Sequence, residues 1–199
     1  MGVKVMVPII DTIADIALIL DTEEHLRRLS ESIPAVPDSR EVFHTLATLP
    51  YAEPVRLKDL SLHDRSVVKQ LPTGIVDIRD GEVVCRVRPP VRSTVGIVYD
   101  EDWRVGLNRA SHFAPFGTRV LALTDDTGID ITLVSLEAAL YGIGVTLIRS
   151  GREDRIVVEP EPWVQNYFGP VAWRYWEQVY NCWLAARPHE PSDMDTSER

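Results

Sequence analysis

The chain has 199 residues, 45% of them hydrophobic, which is enough for one good core or two small ones. Its formal net charge of −9 excludes a general nucleic-acid coat, which would be basic overall, but leaves room for a local basic patch. The two cysteines, Cys85 and Cys182, match no metal or redox spacing and read as free, buried thiols in a reducing cytoplasm.

In chain order, Val3 to Ile10 reads as a short strand or extended lead-in. It is too short for a membrane span and lacks a small-residue cleavage site, so a soluble cytoplasmic protein is expected. Ile13, Ile16, Ala17 and Leu20 recur at helical spacing and predict a first helix. Asp21-Thr22-Glu23-Glu24 opens another, and Asp38 with Glu41 opens a third that Pro50 ends. Ser61 caps a further helix carrying Leu62, Val67, Val68 and Leu71. Two alternating strands come next, joined by Arg79-Asp80-Gly81-Glu82, whose Asp-Gly pair is a hairpin signal.

Helices leading into a β-hairpin match the order of a winged helix-turn-helix. That likeness implies a third helix turning His63, Arg65, Ser66 and Lys69 toward a DNA groove, with Arg79, Arg86 and Arg88 on the wing. Asp59, Asp64, Asp77, Asp80 and Glu82 dilute the local positive charge on which phosphate binding depends.

Beyond the rigid connector Arg88 to Arg92, Ser93 to Tyr99 predicts a strand, and Asp100 or Asp102 caps a helix from Trp103. Arg119 to Asp125 is a buried strand. The next helix carries Leu133, Leu136, Ala139 and Leu140 on one apolar face and ends at the C-cap glycine Gly142. Gly144 to Ser150 and Arg155 to Pro160 give two more strands. Strand, helix, strand, hairpin is the grammar of an α/β layer.

From Thr94 to Pro160 this order resembles the second half of the PD-(D/E)XK nucleases. Asp102-Trp103 with Asn108-Arg109-Ala110 fits their helix, Val120 to Leu123 the next strand, and Tyr141-Gly142-Ile143-Gly144-Val145 the return. The resemblance implies a metal site built from two acids and a lysine on the strand before the helix. Ile97-Val98-Tyr99 stands at that place, and no lysine occurs after Lys69. A nuclease scaffold without its metal-gripping groups is therefore expected, with no catalytic residue, metal or cofactor. If activity survives, Asp77, Asp100 and Asp102 are the candidate acids and Mg²⁺ the cofactor.

The C-terminal stretch concentrates four of the five tryptophans. Pro170 starts a helix whose face carries Trp173, Trp176, Tyr180 and Trp183. This is either a closing helix over the sheet or an interface for a protein partner or a second copy. Residues 188–199 are polar and are expected to be disordered.

The expected architecture is α/β (α+β overall): N-terminal helices over 1–37, a winged-helix-like segment over 38–90, and a mixed-sheet nuclease-like domain with an aromatic closing helix over 91–187. The leading expectation is a DNA-associated, non-catalytic regulator or accessory subunit of a DNA-processing or defence system. Its contacts would be Arg65, Lys69, Arg79, Arg86 and Arg88. The alternatives are a protein-interaction module without nucleic acid and a nuclease with relocated acids.

Overall fold

The computed structural model describes residues 2–7, 12–124, 128–165 and 169–186. The expected C-terminal tail lies outside the described residues. Strands β1 (Gly2–Val7) and β2 (Thr12–Leu20) form a hairpin. A small lobe comes next: α1 (Thr22–Ser30), α2 (Arg40–Thr48), β3 (Pro54–Arg56), α3 (Leu62–Val68), β4 (Val76–Arg79) and β5 (Glu82–Cys85). The chain then returns through β6 (Val91–Tyr99), α4 (Trp103–Ser111), β7 (Thr118–Thr124), α5 (Ile131–Leu140), β8 (Gly144–Ile148), β9 (Arg155–Val158) and α6 (Pro170–Ala185).

The main sheet has six strands in the order β1-β2-β6-β7-β8-β9, so residues 94–160 contribute to a single sheet. Strands β6, β7 and β8 run parallel, while β1-β2, β2-β6 and β8-β9 are antiparallel pairs. The chain is thus an α/β protein with a mixed sheet and a C-terminal helix. A second, antiparallel sheet of β3, β5 and β4 belongs to the small lobe. Its hairpin turn holds Asp80 and Gly81 at φ 51° and 79°, the left-handed pair that a tight two-residue connection demands. Asp21, Asp102 and Asp130 cap α1, α4 and α5 by accepting hydrogen bonds from first-turn amides.

Three sequence expectations need correction. Ile13 to Leu20 lies in strand β2, not a helix, so the described residues among the first 37 supply two strands and one helix. The segment is apolar at both periods, and pairing with β1 and β6 decides the conformation. In α5 the expected core face points outward: Leu136 is 68% and Leu140 78% exposed, while Val134 and Ala138 are buried. That helix is apolar on nearly every side, and the smaller side chains let it lie close to the sheet.

The third correction concerns α6. Trp173, Trp176, Tyr180 and Trp183 are all buried within the chain, so they form no surface for a partner. Helix α6 is wedged between the sheet and the small lobe. Tyr175 stacks on Phe116 at 4.4 Å, and its hydroxyl meets the Thr94 hydroxyl at 3.3 Å. On its other side Trp173 joins the core of the small lobe with Phe43, Leu46, Val68 and Val83. Such a helix needs apolar residues most of the way round, which explains the aromatic density.

Asp38, just ahead of α2, ties the lobe to α6 by accepting from Arg174 Nε at 2.5 Å and Gln178 Nε2 at 3.0 Å. The Arg174 bond holds its carboxyl below the usual range, against the opposing effect of burial. A carboxylate lowered by folding stabilises fully above its unfolded value of about 3.9, and the gain is lost as pH falls through the lowered value. Asp38→Asn should therefore lower Tm at pH 7, with the gap to wild type closing toward pH 3. A gap that stays constant in thermal melts across this range would remove the electrostatic account.

Candidate functional site

The five cations expected on a DNA surface do not act as one group. Arg65 donates from Nε to the Leu57 carbonyl at 2.9 Å and from Nη2 to those of Lys58 at 3.1 Å and Leu60 at 3.3 Å. It thereby clamps the 3₁₀ turn Leu57–Asp59 that leads into α3. Arg86 donates to Asp77 at 2.8 Å across the small sheet. Arg88 pairs with Glu23 at 2.7 Å and Asp21 at 3.3 Å. The Asp21 carboxyl is held low by the Glu24 amide and by Arg88 and Arg92, with burial opposing. Lys69 and Arg79 are exposed and make no ion pair among the described residues.

The three acids of the nuclease alternative are also not brought together. Asp77 lies in the small sheet, on Arg86. Asp100, just past β6, accepts from Arg109 at 2.6 Å and from the Asp102 amide. Asp102 is the cap of α4. Asp100, Glu101, Arg109, Tyr99, Thr124 and Ile148 border a cleft of about 420 Å³ at the C-terminal ends of β6, β7 and β8. Open α/β sheets commonly bind ligands at such ends. Among the described residues, no group of three or more His, Cys, Asp or Glu is placed to hold a metal ion.

At Ile97 and Tyr99, where the nuclease resemblance expects an acid and a lysine, β6 faces Asp15 of β2. Asp15 sits directly across from Ile97 and accepts a hydrogen bond from the Tyr99 hydroxyl. Burial, with the Asp15 bond and the Asp15 and Asp154 charges, pushes the Tyr99 hydroxyl up to about 12, so it stays a neutral donor at physiological pH. The Asp15 Oδ1 atom is shut off from solvent and has no hydrogen-bond partner among the described residues. In the sequence Asp15 reads only as an interruption in an apolar stretch. Strand alternation is the signal that puts it on a sheet face.

That face is an exposed apolar surface. Side chains alternate across a strand, and in-register partners on neighbouring strands point the same way. Helices α4, α5 and α6 all pack on the face of Ala14, Ile16 and Leu18 (β2), Val98 (β6), Leu121 and Leu123 (β7), and Val145 and Leu147 (β8). Both parallel connections, β6-α4-β7 and β7-α5-β8, step in the same direction along the sheet. A right-handed crossover then puts both helices on the same side.

The opposite face carries Ile13, Ala17 and Ile19 beside Asp15, then Val95, Ile97 and Tyr99 on β6. Val120 and Ala122 continue it on β7, and Thr146 and Ile148 on β8, each in register with its neighbour. No described helix packs there. Ile13 is 55%, Ile19 62% and Ile156 58% exposed. Sheets with parallel strands are normally covered on both sides, and contiguous apolar patches of this kind mark interaction surfaces.

No described helix is long and apolar enough to cross a membrane. Compared with protein-family models, with curated proteins and with solved structures, the chain matches none.

Proposed function

We propose that this chain is a non-catalytic assembly protein that presents the bare face of its main sheet to a protein partner. The observation that carries this reading is the extent of that face: apolar side chains on β2, β6, β7 and β8 with one carboxylate, Asp15, among them. The engagement of Asp77, Asp100 and Asp102 in caps and ion pairs supports a non-catalytic role. A photo-crosslinking residue placed at Ile97 should give covalent protein adducts in cells, and one placed at the exposed Glu31 should not. Absence of adducts at position 97 would end the reading.

Association with nucleic acid is a second reading, carried by Lys69 and Arg79, which are exposed and make no ion pair among the described residues. Charge reversal of Arg65 is a poor test, since its guanidinium holds three carbonyls and its loss would disturb the lobe. Lys69→Glu with Arg79→Glu is the clean variant. If duplex DNA is retarded at low salt by wild type but not by this double variant, nucleic-acid association displaces the assembly reading. Binding through these cations should also weaken steeply with salt.

A further inference from the structure

We infer that the bare sheet face is the contact between two copies of this chain, packed sheet against sheet. The inference rests on the assembly reading and adds the identity of the partner.

Three properties of the face select a second copy. The first is shape. Strands ~4.8 Å apart form a continuous surface, and two such sheets pack face to face ~10 Å apart.

The second is charge. Asp15 is the single charged side chain that β2, β6, β7 and β8 place on this face, and the Tyr99 hydroxyl already bonds to it. On the neighbouring strand β1, Lys4 is the register partner of Asp15, so acid and base stand side by side at this edge of the sheet. Two copies of a chain with net charge −9 repel each other over most of their surfaces and least over this one.

The third is area. Six strands span ~24 Å, and with strands roughly 20 Å long the face is on the order of 500 Å² as a plane. Side-chain relief brings it toward the ~800 Å² that each partner buries in a stable interface. A two-fold contact is self-complementary, so a largely apolar face on one copy meets the same largely apolar face on the other.

The test is the oligomeric state of the full chain by sedimentation equilibrium and light scattering. Wild type should run at twice the chain mass. Ile19→Glu and Ile156→Glu alter positions that are already exposed and so spare the core. Each should weaken self-association at least tenfold with an unchanged far-UV circular dichroism spectrum. Leu136→Glu, on the rival apolar stripe of α5, should leave the dimer intact. Dissociation by Leu136→Glu but not by Ile19→Glu would overturn the inference. A wild-type chain that is monomeric at its solubility limit would also overturn it. In that event, adducts to a different polypeptide at position 97 leave the assembly reading standing, and no adducts at all remove both.

Discussion

Replacing Arg28 by Met should cost about 3–5 kcal/mol, more than any surface change in this protein, because it strands the buried carboxylate of Glu177 and takes one of the cations from Glu24. Arg28 lies where α1, α6 and the connector before β6 meet. Its Nε donates to Glu24 at 2.7 Å, its Nη1 and Nη2 donate to Glu177 at 2.9 and 2.6 Å, and Nη2 also reaches the Arg88 carbonyl at 2.8 Å. Glu24 is fully buried and Glu177 is 2% exposed. Burial alone would lower the Arg28 value, but the bonds to Glu177 and Glu24 raise it above its ordinary value, so the group is a fixed cation. With Met in its place Glu24 keeps Arg27, at 2.9 Å, while among the described residues Glu177 keeps the indole N–H of Trp173 at 3.2 Å.

The variant's pH dependence has a definite sign. A carboxylate left buried without its cation has its folded pKa raised above the unfolded value, so the folded state binds the extra proton. The stability deficit of Arg28→Met should therefore shrink as pH is lowered from 7 toward 5. Adding Glu177→Gln should recover part of the loss at pH 7, because it removes the stranded charge. Urea titrations of the two variants at both pH values check this. A loss under ~1 kcal/mol would mean that water reaches the site and the charges are solvated.

Much of the fold is legible in the residues because local and global signals agree. Asp102 before Trp103, Asp130 before Ile131 and Gly142 after Tyr141 set helix ends by backbone chemistry that needs no tertiary partner. The Asp80-Gly81 hairpin is of the same kind. The features that sequence misplaces depend on a partner far along the chain. Ile13 to Leu20 is apolar at both the helical and the strand period, and only its neighbours β1 and β6 choose between them. The outward stripe of α5 has no sequence signature, since a helix with so few polar residues offers no preferred face.

The candidate sites show the same division. Arginine positions are legible, but their acceptors are not. Arg65 is bound by carbonyls of its own turn, and Asp77 and Arg86, which the sequence suggests for rival functions, hold each other. The bare sheet face leaves no trace in composition, because a half-covered apolar strand and a fully buried one read alike. It becomes visible only when α4, α5 and α6 are seen to share one side.

The second large effect concerns how the two cores are joined. Trp173→Ala should cost about 3–5 kcal/mol, the usual range for emptying a buried aromatic site. Its more informative consequence is uneven. The backbone of Trp173 belongs to α6, but its ring belongs to the small-lobe core, with the Phe43 ring 6.3 Å away. Truncation leaves the sheet side of α6, where Tyr175, Trp176 and Val179 pack, with its own contacts. The lobe loses the indole that fills its core and keeps the Asp38 and Arg28 links to α6. Hydrogen exchange should therefore accelerate in α2 and β5 well before β6 and β7 lose protection. Trp176→Ala, which empties the sheet core at the indole that donates to the Phe116 carbonyl, should do the reverse. If both variants release α2 and β7 together, the two cores form one cooperative unit and α6 does not divide them.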